Sequence, residues 1–353
     1  NKVYQYIYQK KETSKLQIVA DLQMGLSTVS QNLNELENDG LISRNGYFES
    51  TGGRKAQIIR IVENFRISIG LGILKDMFHI VAVNLYGDAI ATKTIALPYE
   101  NSDIYYSMLA DSINQFIQAN HYSSDIIQGI SIATQGIISP DGTSVTYGNI
   151  MGNTQMKISD FSSKLPYPCH LEHDSKAAAD LELWNHPQLD SALVFLLNSN
   201  LGGAIITNHK VHQGNHMRSG LFEHICIDPE GPQCYCGNHG CLETYCSANA
   251  LKNTAGMPIK EFFNILRATH TPTISKIWEN YLDRLAFSIR NLNLIIDCPV
   301  ILCGYLAPYF LEQDISYLLK KINEHALFQM SEDQLLLGNH GQYTPAIGAS
   351  LYY

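Results

Sequence analysis

His224…Cys234-Tyr235-Cys236-Gly237-Asn238-His239-Gly240-Cys241-Leu242-Glu243 places the imidazole of His224 and the thiols of Cys234, Cys236 and Cys241 within eighteen positions. Zinc favours four nitrogen and sulfur ligands in a tetrahedron, and Cys₃His is one of its ordinary structural sets. Gly237 and Gly240 permit the tight backbone path that gathers such ligands. The alternative is three buried apolar cysteines beside an unrelated histidine. The density of the cluster and its interleaved glycines favour metal over that alternative. Four protein ligands would leave no open coordination position, so a structural Zn²⁺ is expected rather than one that activates water.

The same stretch, extended back to Gly220, resembles the signature of the ROK family (repressors, open reading frames, kinases). Its usual form is Gly-Glu-Ile-Gly-His followed by Cys-x-Cys-Gly-x-x-Gly-Cys-Leu-Glu. The spacings of ten, twelve and seventeen residues from His224 to the three cysteines agree with it. ROK proteins are either sugar kinases or sugar-responsive transcription regulators, and the rest of the chain discriminates between the two.

The 353 residues suffice for two or three domains with real cores. An apolar content of 45% is ordinary for a globular chain. No run of eighteen apolar residues occurs, so no membrane insertion is expected. Asn1-Lys2-Val3-Tyr4 is neither a signal peptide nor a start at Met, and residues are expected to precede it. The eight cysteines show no disulfide framework, which favours a reducing cytoplasm. Residues 1–62 carry eight Lys and Arg against six Asp and Glu, a net of +2, whereas the remainder is −11. An acidic body repels nucleic acid, so any double-stranded operator DNA is expected to meet the N-terminal segment. Its weak positive charge points to a homodimer or homotetramer.

Three helical stretches are read in that segment. Val3, Tyr4, Ile7 and Tyr8 recur at helical spacing, and Ser14 can cap a second helix. After Met24-Gly25, Ser27 can cap a third, with Val29, Leu33 and Leu36 as its apolar stripe. Ser27, Thr28, Ser30, Gln31 and Asn34 then form a polar face suited to base edges and phosphates. Strands over 41–44 and 56–61 enclose Thr51-Gly52-Gly53-Arg54-Lys55, giving a winged helix-turn-helix over 1–62. Thr-Gly-Gly-Arg is similar to the wing of ROK repressors, which implies that Arg54 and Lys55 reach the duplex. The same fold also docks proteins, and a transport or signalling protein is the alternative partner.

Beyond residue 62, strands in a meander give way to strands alternating with helices, a mixed α/β pattern. The resemblance implies a two-lobed ribonuclease-H-like (actin-like) body. The first lobe is expected over 63–190, joined by a closing helix over 340–353, and the second, with the zinc site, over 191–339.

The kinase members carry Asp-x-Gly-Gly-Thr in their first phosphate loop, where this chain reads Leu71-Gly72-Ile73-Leu74-Lys75. Branched side chains there block close approach to phosphate. The second loop, Gly-Thr-Gly-x-Gly, is Asn198-Ser199-Asn200-Leu201-Gly202, and the late Gly-Gly is Cys303-Gly304. Three eroded nucleotide elements argue against an enzyme, and the rival reading is an ATP-dependent hexose kinase with an added N-terminal domain. The sugar side is partly kept. Asn149, His173, Asp174, His224 and Glu243 match the positions where the family contacts sugar, and Asp174 can accept hydroxyl hydrogen bonds without catalysis. Leu221 and Glu223 depart from the family's Glu and Gly, so the effector is expected to be an unusual sugar, a sugar phosphate or a glycoside, with loss of sugar binding as the alternative. The expected function is a sugar-responsive transcriptional regulator, a repressor of carbohydrate uptake or metabolism genes.

Overall fold

The computed structural model describes residues 1–49, 55–269 and 271–353. The chain divides into two compact units, Asn1–Ile67 with Asn84–Asp88, and Ser68–Val83 with Ala89–Tyr353.

The first unit holds α1 (Lys2–Lys10), α2 (Lys15–Leu22), α3 (Leu26–Asn38), β1 (Ile42–Ser43) and β2 (Arg60–Ile61). Asn1 and Ser14 cap the first two helices through side-chain oxygens. The third starts two residues before the expected cap. Gly25 is its N-cap, and Ser27 lies inside the first turn. A glycine competes well at this position because nothing hinders its extended conformation. Val29, Leu33 and Leu36 point inward as their spacing requires, against Val3, Ile7 and Ile18. β1 and β2 pair antiparallel, Ile42 opposite Ile61. They are shorter than the sequence suggests, and Tyr47↔Gln57 and Thr13↔Ile59 add isolated bridges. The segment from Ser50 to Arg54 lies outside the described residues.

The second unit is built on two five-stranded sheets. The elements of the first sheet and its surroundings are β3 (Ile67–Ile73), β4 (Met77–Val83), β5 (Ala89–Ala96), α4 (Asp103–Ala119), β6 (Ile127–Thr134), β7 (Ile137–Ile138), β8 (Val145–Tyr147), α5 (Ile158–Ser162) and β9 (Cys169–His173). Its strand order is β5-β4-β3-β6-β9, antiparallel through β3–β5 and parallel between β6 and β9. After α6 (Asp174–Asn185) come β10 (Ala192–Leu197), β11 (Leu201–Thr207), β12 (Lys210–Val211), α7 (Glu243–Cys246), α8 (Ala248–Ala255), α9 (Ile259–Thr269), α10 (Pro272–Asn293), β13 (Val300–Cys303), α11 (Glu312–Asn323), β14 (Leu335–Leu337) and α12 (Thr344–Ser350). The second sheet runs β12-β11-β10-β13-β14. Each sheet thus joins a three-stranded antiparallel meander to parallel strands, the duplicated α/β design expected of an actin-like body. None of the described helices is long and apolar enough to cross a membrane.

Buried helices fix the relation of the sheets. Ala177, Ala178 and Ala179 of α6 are fully buried, and their small side chains admit neighbours closely. α12 is shorter than the expected 340–353 and packs along α6. A Cβ on Gly348 would lie 1.8 Å from the Ala177 carbonyl oxygen, so this approach requires glycine. Trp278 anchors the helices over β13 and donates its indole N–H to Asp314 Oδ1 at 2.8 Å.

Glu182 of α6 is an exception within this packing. It is fully buried, its carboxylate lacks a hydrogen-bond partner, and His186 Nε2 lies 4.0 Å away. Burial pushes its carboxyl up to about 7. An unfolded glutamate titrates near about 4.3, so the fold keeps a proton that the unfolded chain has lost. The contribution of this group therefore favours folding at low pH and is lost as pH rises to about 7. Glu182→Gln is expected to flatten the decline in stability between pH 5 and pH 8 by about 2 kcal/mol. Urea unfolding at the two pH values measures it, and parallel declines in the two proteins would refute it.

Candidate functional site

His224, Cys234, Cys236 and Cys241 come together as their spacing implies, in a cluster that could hold a metal ion. His224 closes a single 3₁₀ turn (Phe222–His224), and the cysteines sit on the loop before α7. The backbone of that loop is pinned by Cys234 N donating to Asn238 O, Gly237 N to Cys234 O and Gly240 N to Pro232 O. Gly240 adopts φ +64°, and a Cβ there would lie 1.5 Å from Asp228 O. The four donor atoms lie within 4.8 Å of one another. Cys236 Sγ and Cys241 Sγ are 3.7 Å apart, and His224 Nδ1 is 3.9 Å from Cys234 Sγ. A tetrahedral zinc–thiolate site has S–S edges of about 3.8 Å, so the donor set fits an ion of that kind.

Orienting His224 Nδ1 toward the thiols sends Nε2 the other way. It lies 3.4 Å from the Tyr235 hydroxyl and 4.0 Å from Glu223 Oε1. Here a polar cavity of about 270 Å³ opens. Asn149, His173, Asp174 and His224 line it, four of the five sugar positions expected from sequence. Asn149 Nδ2 donates to Tyr235 O at 3.2 Å, and His173 Nε2 lies 3.7 Å from Asp174 Oδ1. Asp174 is the first residue of α6, directly after β9, so strand and helix together aim it. Burial pushes its carboxyl above the usual range and lowers that of the His173 imidazole.

Glu243 does not line this cavity. Its carboxylate is taken up by Asn200 Nδ2 and Leu201 N, each at 2.7 Å. Burial nonetheless pushes it up to about 7. It positions the 198–201 loop, and Asn200 in turn receives Gln135 Nε2 at 3.3 Å. Sequence reading missed Gln135, Asn200, Tyr235 and Glu223 as lining residues. Only Glu223 carried a signal, being a carboxylate in the altered stretch beside His224. Glu223 Oε2 and His173 Nδ1 are buried without a hydrogen-bond partner. Burying such atoms unpaired is costly, and both belong to residues that border the cavity.

A second cavity of about 300 Å³ is bordered by Gly72, Ile73 and Leu74, the stretch that stands in place of the kinases' first phosphate loop. Asn198 Oδ1 accepts Tyr305 N at 2.8 Å, so this amide ties two loops together where the kinases have glycine. Asp174 borders both cavities.

On the first unit, Ser27, Thr28, Gln31, Asn34 and Lys55 are exposed and Ser30 is half-buried. Ser30 Oγ donates to Leu26 O at 2.6 Å, and Gln31 Nε2 to Glu35 Oε1 at 3.0 Å. Arg44, overlooked in the sequence, donates to Asn34 Oδ1 at 2.7 Å and pairs with Glu37 at 3.2 Å. Arg54 is outside the described residues.

The ROK family model matches residues 67–353. The xylose repressor of Bacillus subtilis (strain 168) is 25% identical over 335 residues, 92% of this chain and 86% of that protein. The DNA-binding transcriptional dual regulator NagC of Escherichia coli (strain K12) is 28% identical over 255 residues, 70% of this chain and 62% of that protein. Two solved structures share the fold. A ROK family transcriptional regulator, homologue of the Escherichia coli MLC protein, has a TM-score of 0.71 at 18% identity, over 99% of this chain and 93% of its own. A ROK family glucokinase from Streptomyces griseus, with glucose and AMPPNP, has a TM-score of 0.71 at 19% identity, over 81% of this chain and 98% of its own.

Proposed function

The chain belongs to the ROK family, and from that premise we propose that it is a sugar-responsive transcriptional regulator, a repressor of carbohydrate uptake or metabolism genes. The observation that carries this reading is the replaced nucleotide cradle. Ile73 and Leu74 occupy the first loop, and Asn198 holds Tyr305 in the second, leaving no glycine-rich surface for phosphates. Repressor relatives aligned over 92% and 70% of the chain support the same conclusion. A kinase remains the rival because Asp174 is kept in the place of the kinases' base.

In this reading the first unit is a winged helix-turn-helix. α3 enters the major groove with Ser27, Thr28, Ser30, Gln31 and Asn34, while Arg54 and Lys55 contact the backbone. His224, Cys234, Cys236 and Cys241 hold a structural zinc that stiffens the wall of the polar cavity. Asn149, His173 and Asp174 bind the hydroxyls of a carbohydrate, with Glu243 supporting them through Asn200. The effector regulates by binding the DNA-competent and incompetent states of a cytoplasmic homodimer or homotetramer with different affinity.

Selection of genomic fragments followed by footprinting tests the DNA claim, and release of the selected duplex by a sugar tests the effector claim. Turnover of labelled ATP with any sugar at enzymatic rates would favour the rival. Lys55→Ala is expected to weaken binding to the selected duplex and lower the salt slope by about 1, the signature of one lost phosphate contact. Anisotropy titrations across a salt series measure it, and an unchanged slope would remove Lys55 from the interface.

A further inference from the structure

The effector reading makes use of the polar cavity alone and gives the second one no role. That second cavity has an apolar side facing several polar groups, among them Asn198, Ser199, Asn249 and Gln342. Ile73, Leu74, Met77, Ile259, Pro345 and Tyr305 supply apolar wall. Among the described residues that line it, Lys252 is the one lysine or arginine, and its side chain is exposed. His79 is buried, with Nδ1 2.8 Å from Thr94 Oγ1, and burial lowers its imidazole to about 4, which keeps it neutral. Asp174 is the carboxylate at the boundary. A phosphate would meet branched apolar side chains and a carboxylate there, with one exposed ammonium to balance it, which is a poor site for an anion.

We propose that this cavity takes an apolar, aryl-sized substituent carried by the effector, which is therefore a glycoside with its sugar in the polar cavity and its aglycone in the second. The proposal rests on the effector reading above. The structural argument is that Asp174 borders both cavities, so a ligand spanning them would pass that one carboxylate. Size agrees as well. The cavities measure about 270 and about 300 Å³, so a monosaccharide seated in the first leaves a comparable space lined with apolar side chains. Ligand sites of this kind combine an apolar wall with a few placed polar groups, here Asn198, Ser199 and Gln342. Removing an aromatic ring from water against such a wall favours binding, whereas leaving the wall wet gains nothing.

Calorimetric titration of the full chain with matched phenyl and methyl glycosides of common hexoses and pentoses, in both anomers, tests the proposal. For at least one sugar, the phenyl glycoside is expected to bind about 10- to 100-fold more tightly than its methyl counterpart. Leu74→Asp is expected to abolish that gain and leave the affinity for the methyl glycoside unchanged. Met77→Asp serves the same purpose should the first variant not fold, since Met77 is more exposed. Equal affinity of each pair, a gain that survives the variants, or phenol binding as tightly as the phenyl glycoside would each overturn the proposal. Free sugars that bind while no glycoside does would also overturn it, and would leave the effector reading intact. Failure of every sugar and glycoside would overturn both.

Discussion

Cys236→Ala is expected to release the metal and lower the melting temperature by about 10 °C or more. Three remaining donors cannot complete a tetrahedral Cys₃His site, and the binding free energy of a structural zinc is folding free energy. Such sites contribute about 10 kcal/mol in small zinc-finger peptides. The loss here is expected to be smaller, because the knot borders a large apolar core that includes Phe222, Leu242 and Cys246 and adds its own packing. A loss of about 4 kcal/mol still shifts the melting of a domain this large by about 10 °C. The polar cavity should suffer as well, since the ion would orient His224 and Tyr235 sits on the cysteine-bearing loop. Metal analysis by mass spectrometry together with calorimetric melting measures both effects. One equivalent of retained zinc with unchanged melting would show that these four residues are not a metal site.

The second large effect is expected at Asp174. Asp174→Asn should weaken effector binding by about 10- to 100-fold, the range for losing a charge-assisted hydrogen bond of about 1.5–3 kcal/mol. DNA affinity in the absence of effector should stay unchanged, because the substitution is isosteric and sits within the second unit. Glu243→Gln behaves differently. Its carboxylate holds Asn200 and Leu201 and does not border the cavity. That variant should therefore lose stability before it loses specificity among sugars. Measuring the affinities of both variants for the effector that releases the duplex separates the two roles. An Asp174→Asn protein that still responds at the parental sugar concentration would remove Asp174 from the binding site.

The same contrast marks what was legible in the sequence. The ligands of the metal knot were readable because they lie within eighteen positions and their spacing constrains local backbone. α1 to α3 were readable from apolar periodicity, although the start of α3 was misplaced, since Ser27 and Gly25 both satisfy local capping rules and only the packing of Leu26–Asn38 selects one. The loss of the phosphate loops was readable because glycine has a distinctive backbone role, and its replacement is visible residue by residue. The role of Glu243 was not, because its partners Asn200 and Leu201 lie more than forty positions away. Arg44 was likewise overlooked until the fold set it against Asn34 and Glu37.

By itself, the sequence determined the family, the Cys/His cluster, the helical periodicity and the altered nucleotide loops, all of which rest on short-range spacing. The tertiary structure alone decided that Asp174 stands between two cavities, that Glu223 and His173 are buried without partners beside one of them, and that Ile73 and Leu74 form an apolar wall in the other. Cavities and unpaired buried atoms arise where chain segments distant in sequence meet, and no local pattern encodes which faces will adjoin.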